Sequence, residues 1–287
     1  MQLSRLPSIS ILIPAHDASR TIGSAIFSAW LTRPKRAEIL VLLDGDNTNS
    51  PILELFEKRD LIKVFRTEEA SGISGARNYL LAEARSDLVA WLDSDDVALP
   101  FRYGKSIRLI KTESADVVFS QSVIFGEKVR GIPFLPQFPF CIPVELSPLF
   151  LYLANPFTQS TMVARKSVLL EAGGYRDCPA EDYDLWMRLA AAGRKITRRM
   201  SYGVFYRIHR NQTTSDTMYE DRVLADSFVQ HSHYELGAKI TFANLFSGES
   251  ERVEQIKNRL LNKSLGFWMQ EKWFRPTLDW AKKNLLG

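Results

Sequence analysis

The N-terminal third of the chain switches regularly between two hydrophobic periods, and that alternation constrains the fold more than any other feature. Residues 9–13 form a short apolar run closed by Pro14, the pattern of a strand buried on both faces. Ser19 stands where it can cap a helix whose apolar face is Ile22, Ile26, Ala29 and Trp30. A second apolar run, 39–43, ends at the turn Asp44-Gly45-Asp46-Asn47. Residues 53–58 predict a helix, 62–65 a third strand, 75–84 another helix and 88–92 a fourth strand. Strands alternating with helices imply βαβ units, hence an α/β fold with a mostly parallel central sheet flanked by helices.

In such sheets ligands sit beyond the carboxyl ends of the strands. Asp17, Asp44 and Asp93 each fall just past a predicted strand end, the first sign of a polar site. Further along, residues 131–156 carry six of the 13 prolines and read as an irregular excursion between two halves, anchored by Phe134, Phe138, Phe140 and Phe157. Residues 158–164 read as a strand, 167–172 as a helix closed by Gly173-Gly174, 182–192 as a helix closed by Gly193, and 196–207 as extended. From 216 onward the pattern is helical, ending in a polar, charged tail.

Composition narrows the class. With 287 residues, 45% hydrophobic and 24% charged, the chain can bury a sizeable core. Its net charge of +4 suits an anionic substrate or an anionic membrane surface and is too small to indicate nucleic acid. Cys141 and Cys178 make neither a disulfide framework nor a metal site and are expected to be reduced. No apolar stretch is long enough for a signal peptide or a transmembrane helix, so a cytoplasmic location is expected.

Five constellations carry the chemistry. The strongest is Trp91-Leu92-Asp93-Ser94-Asp95-Asp96, whose three carboxylates repel one another unless a cation neutralises them. Hard oxygen ligands imply Mn²⁺ or Mg²⁺, which also binds diphosphate. Asp44 can accept hydrogen bonds from a base or ribose. Gly72-Ile73-Ser74-Gly75-Ala76-Arg77-Asn78 brings backbone amides toward an anion at a helix start, without the Gly-Lys-Ser/Thr of a Walker A loop. In Glu181-Asp182-Tyr183-Asp184-Leu185-Trp186, Asp182 falls in the first turn of a helix. There the dipole favours its ionised form, able to accept a hydroxyl proton or simply to cap the helix. Finally, Tyr206-Arg207-Ile208-His209-Arg210-Asn211-Gln212-Thr213 offers a phosphate ligand in Arg207 or Arg210 and a metal ligand in His209. Arg194, Lys195, Arg198 and Arg199 read as a solvated edge, and His231 and His233 as bystanders.

These motifs, in this order over residues 8–212, resemble the family 2 glycosyltransferases. Pro14-Ala15-His16-Asp17 is similar to the family's Pro-x-Tyr-Asn turn, with His and Asp replacing Tyr and Asn. Asp44 matches the second acid of its Asp-Asp-Gly-Ser, the first being lost. Asp93-Ser94-Asp95-Asp96 resembles its Asp-x-Asp-Asp metal motif, and Glu181-Asp182 its Glu-Asp-x-x-Leu-Trp motif. The resemblance implies a GT-A nucleotide-diphospho-sugar transferase fold over 1–213, with a nucleotide-binding half to about 125, an acceptor-binding half over 126–213 and a helical C-terminal extension over 214–287. It implies an inverting enzyme with Asp182 as catalytic base. Pro14, Ala15, His16, Asp17, Asp44, Gly72, Arg77, Asp93, Ser94 and Arg207 would hold a nucleotide-sugar donor, UDP-linked on family frequency. Asp95, Asp96 and His209 would hold Mn²⁺ or Mg²⁺. A glycan or lipid-linked acceptor completes the reaction, in surface polysaccharide or glycolipid assembly. A nucleotidyltransferase is disfavoured by the lack of a basic Gly-rich N-terminal signature, and a non-catalytic sugar-nucleotide-binding scaffold by the intact Asp95 and Asp182. The tail sets Trp268, Trp273, Phe274 and Trp280 among lysines, which predicts peripheral membrane contact at the inner face or packing on the domain or a second subunit.

Overall fold

The apolar runs become strands because each alternates its side chains between two helical layers. In a computed structural model, which describes residues 8–45, 48–126, 140–209, 212 and 218–240, Leu12, Leu40, Leu42, Val89 and Trp91 enter one core, while Ile11, Ile13, Ile39, Val41, Leu43 and Ala90 enter the other. The order is β1 (Ser10–Ala15), α1 (Ile22–Thr32), β2 (Glu38–Asp44), α2 (Pro51–Lys58), β3 (Lys63–Thr67), α3 (Gly72–Glu83), β4 (Leu88–Trp91), β5 (Val97–Ala98), α4 (Arg102–Lys111), β6 (Val117–Gly126), α5 (Ser147–Leu153), β7 (Val163–Arg165), α6 (Lys166–Glu171), α7 (Glu181–Ala191), β8 (Ile196–Ile208), α8 (Tyr219–Ala225) and α9 (Ser227–Lys239). The eight strands form one sheet in the order β3-β2-β1-β4-β7-β6-β8-β5. β1 to β4 pair in parallel, as expected; β7 enters antiparallel to both β4 and β6, and β5 antiparallel to β8, so the complete sheet is mixed.

Several local expectations are corrected. Ser19 does not cap α1: Thr21 is the N-cap, without a side-chain bond, and Ser19 Oγ instead accepts from the Asn49 N–H at 3.1 Å. The cap expected of such a residue is made at α2, where Ser50 accepts from the Leu53 N–H. Residues 158–164 are not one strand but a 3-10 turn, Gln159–Thr161, leading into the short β7. The proline-rich excursion contains α5, which starts with Pro148 in its first turn, a position that tolerates proline because the N–H is unneeded there. Phe134 and Phe138 lie outside the described residues. The basic cluster is no solvated edge at Arg198, which is 2% exposed and donates through its guanidinium to Pro156 O.

α8 and α9 pack into the same core as α7. Val223, Val229 and Leu236 are fully buried, and Ser232 Oγ donates to Asp184 Oδ1 at 2.6 Å. His233 stacks on Tyr152 with ring centroids 4.2 Å apart, giving this residue a packing role. Both cysteines are free. No described helix is long and apolar enough to cross a membrane. The tail aromatics Trp268 to Trp280 lie outside the described residues.

Candidate active site

The carboxyl ends of β1, β2 and β4 open into a cleft of about 1600 Å³. Its lining gathers Pro14, Ala15, His16, Asp17, Asp44, Gly72, Arg77, Asp93, Ser94, Asp95, Asp182, Arg207 and His209. Thus residues of all five motifs meet at one cavity. The floor is tied together by Asp44, 3% exposed, whose carboxylate accepts from Thr67 Oγ1, from Ser71 Oγ at 2.8 Å and from the Ser71 N–H. His16 Nδ1 lies 2.7 Å from Asp44 O, which fixes the first turn to the second strand tip. Gly72 opens α3 at φ +74, backbone that a residue with a Cβ adopts only with strain.

Arg77 joins the two sides. It is 5% exposed; its Nη1 donates to Glu181 Oε1 and its Nη2 to Asp93 Oδ1 at 3.2 Å, with the guanidinium 5.5 Å from the Tyr175 ring centre. Burial opposes its charge, but Glu181 and Asp93 outweigh that and hold its pKa above the ordinary value. Asn78, next to it, clamps Tyr175 by exchanging two backbone bonds of 2.7 and 2.8 Å. The Arg-Asn pair of the glycine segment therefore bridges strand tip and helix rather than standing exposed.

The acidic triplet divides. Asp93 accepts from Arg77 and from Ser160 Oγ at 2.9 Å. Asp95 Oδ2 lies 2.8 Å from His209 Nε2, and burial, then the neighbouring Asp93 charge, raise its pKa. Asp96 is fully buried, takes the Arg207 N–H at 2.8 Å and does not line the cleft. As placed, it anchors the end of β8 and faces away from any ligand in the cavity. Arg207 Nε donates to Asp95 O at 2.8 Å, so the acidic loop and the β8 end are laced together.

Asp182 lines the same cleft from the start of α7. The helix N-cap is Ala180, with no side-chain cap, and Asp182 Oδ1 accepts locally from the Tyr183 N–H at 2.6 Å. The dipole's preference for the ionised form is opposed by burial, the largest cause, which raises the Asp182 pKa against the pull of Arg77. Glu181, 8% exposed, is pushed up to about 7 by burial despite its Arg77 partner. Asp184 is fully buried on Arg188 and Ser232 and belongs to the core.

The family model for glycosyl transferase family 2 matches residues 10–172. The chain belongs to that family. Among curated relatives, this glycosyltransferase is 28% identical over 222 residues to the Escherichia coli UDP-Glc:alpha-D-GlcNAc-diphosphoundecaprenol beta-1,3-glucosyltransferase WfaP, covering 74% of this chain and 82% of that protein. It is 28% identical over 172 residues to an uncharacterized glycosyltransferase of Haemophilus influenzae, covering 58% of this chain and 63% of that one. The crystal structure of S. aureus TarS 1–349 in complex with UDP-GlcNAc superposes with a TM-score of 0.59 at 18% identity, over 96% of this chain and 81% of that one. At that identity the likeness shows the fold alone, and it is the expected GT-A α/β fold.

Among the described residues of the transferase, no group of three or more His, Cys, Asp or Glu is arranged as a metal cage. The donor set still suits a divalent ion. Asp95 and His209 present one carboxylate oxygen and one imidazole nitrogen together at the cleft, and ions that serve phosphates commonly take only one or two protein ligands, leaving the rest to substrate oxygens and water. Sequence reasoning missed Ser160, which accepts from the Asp93 N–H and donates to Asp93 Oδ2, and the lining residues Asn155 and Tyr219. The polar run Thr158-Gln159-Ser160-Thr161 after a proline was the available signal. Asp46 and Arg210 lie outside the described residues.

Proposed function

We propose that this glycosyltransferase is metal-dependent and inverting, and moves a sugar from a UDP-sugar to a hydroxyl of a glycan or lipid-linked acceptor. We further propose that it works on the cytoplasmic side of a membrane, in surface polysaccharide or glycolipid assembly. The observation that carries this is a single cleft lined both by Asp95, paired with His209, and by Asp182. The printed activities of relatives, UDP-glucose transfer by WfaP and a UDP-GlcNAc complex of TarS, support the donor class.

The chain's own residues have defined tasks in this reading. Asp44, His16 and the Gly72 segment hold the nucleotide at the floor, and Arg77 keeps Asp93 and Glu181 neutralised and in place. Asp182 takes the proton as the acceptor oxygen forms its bond to the anomeric carbon and the carbon–oxygen bond to the diphosphate breaks on the opposite face. A base with a raised pKa is the better proton acceptor, and a positioned one contributes ~10²–10⁴ in rate. A divalent ion held by Asp95 and His209 would supply neutralisation of the leaving diphosphate. Turnover of a panel of UDP-, GDP- and dTDP-sugars with and without Mn²⁺ tests the proposal. The expected result is Mn²⁺-dependent release of UDP. Binding without any turnover would instead establish a sugar-nucleotide-binding scaffold.

A further inference from the structure

The ends of α1 and β5 and the neighbouring part of β8 leave large apolar side chains in water beside α4, whose charged residues are all basic. Phe101 is 93% exposed, Leu31 65% and Met200 65%. Two sets of contacts bring them to one region. Ser28 Oγ accepts from the Ala98 N–H at 2.9 Å, and the Tyr103 phenol lies against the Thr32 side chain, so the end of α1 that bears Leu31 borders residues 98–103. On the other flank β5 pairs antiparallel with β8; the Leu99 N–H reaches Gly203 O at 2.9 Å and Arg199 Nη2 reaches Arg102 O at 3.1 Å, which carries Met200 alongside Phe101.

Folding does not explain Phe101. It holds φ +65, the left-handed region, where a bulky aromatic is strained, and its ring is almost wholly in solvent. The helix that follows contains Arg102, Lys105, Arg108 and Lys111 and no acidic residue, and Lys105, Arg108 and Lys111 are exposed. α1 contains no acidic residue either. Three large apolar side chains held out beside a helix whose charged residues are all basic have the chemistry of a lipid interface: apolar groups enter the acyl boundary while lysine and arginine meet anionic headgroups.

We propose that this face, Leu31, Phe101 and Met200 with Lys105 and Arg108, is a docking surface for an anionic phospholipid bilayer. The occupant follows from charge complementarity, because every charged residue of α4 is basic. It goes beyond the transfer reaction and uses no residue of the cleft. It also locates membrane contact in the catalytic fold rather than in the tail.

Flotation of the full chain with phosphatidylglycerol-containing vesicles, against vesicles of phosphatidylcholine alone, tests it. The wild-type chain is expected to float with the anionic vesicles and to be released by salt. Phe101→Gly is the decisive variant, since glycine fits φ +65: its melting temperature is expected to hold or rise while vesicle affinity falls about tenfold. Lys105→Glu and Arg108→Glu are each expected to weaken binding about fivefold on anionic vesicles only. Absence of wild-type binding, or full retention of binding by Phe101→Gly and both charge reversals, overturns the assignment. So does a wild-type dimer that Phe101→Gly dissolves without any vesicle binding, which would make this face a subunit contact.

Discussion

The floor of the cleft and its far wall are held by different physics. The floor, β1 to β4, is parallel strand against parallel strand, with apolar side chains passing alternately into two cores and one buried carboxylate, Asp44, stitching the tips. The wall, β6 to β8 with α7, is held by buried guanidinium groups that reach distant carbonyls and acids: Arg102 to Trp91 O and Ser160 O, Arg198 to Pro156 O, Arg77 to Glu181 and Asp93. The β6–β8 ladder also shifts register twice near Gln121. In the proposed function the floor, built on local periodicity, would bind the donor, and the wall, built on long-range polar contacts, would place groups for chemistry. Substitutions in the two regions should therefore separate donor affinity from rate.

The sharpest test of that division is Asp182→Asn. The N-cap of α7 is Ala180 and carries no side-chain bond, so the substitution costs no cap. We expect a near-normal melting temperature and donor affinity, with kcat lower by at least ~10². A variant that melts early yet turns over normally per folded molecule would make Asp182 structural. Next in size is Asp95→Asn, which removes the carboxylate from the Asp95–His209 pair. Activity should fall roughly 10²-fold and UDP should bind more weakly only when Mn²⁺ is present; unchanged metal dependence in a titration would remove Asp95 from the metal site.

Asp44→Ala probes the floor. Donor KM should rise about tenfold with a smaller change in kcat, as expected for loss of hydrogen bonds to a charged group. The same variant should lose stability, because Ser71 and Thr67 lose their acceptor. Equal donor affinity in calorimetric titration would restrict Asp44 to the stitching of β2, β3 and α3.

The floor was legible from sequence and the wall much less so, for the same reason. Residues 9–13, 39–43 and 88–92 announce strands because burial on both faces demands uninterrupted apolar runs, and each ends at an acid that the cleft uses. The motif resemblance brought Asp95, Asp182, Arg207 and His209 to the cavity that the structure forms. Nothing local reveals that Arg198 is buried, that Ser160 secures Asp93, or that Asp96 turns inward while its neighbour Asp95 faces the cleft. Those facts depend on which distant backbone arrives nearby. The dipole argument for Asp182 was incomplete for the same reason: position in a helix is a local property, whereas burial, which raises its pKa, depends on the whole fold.

The smallest expected effect concerns pH and tests whether the wall is strained electrostatically where the floor is not. Glu181 has a folded-state pKa near 7 against an ordinary 4.5, because burial penalises its charge more than Arg77 relieves it. Over that window the native chain binds more protons than the unfolded one, so stability from this group is fully present below about 4.5 and is lost as pH rises through about 7. Asp95 and Asp182 are shifted upward as well and act in the same direction. These carboxylates should therefore lower the melting temperature from pH 5 to pH 8, against His233, whose pKa burial lowers and whose contribution rises with pH at the acid end of that range. Glu181→Gln keeps a hydrogen-bonding partner for Arg77 while removing one titrating charge, so its decline should be shallower, and Mn²⁺ should flatten the profile further by neutralising Asp95. A wild-type melting temperature that rises over the same range would mean that Arg77 wins the contest at Glu181, and that the wall is a satisfied ion-pair network whose carboxylates are ionised at no cost.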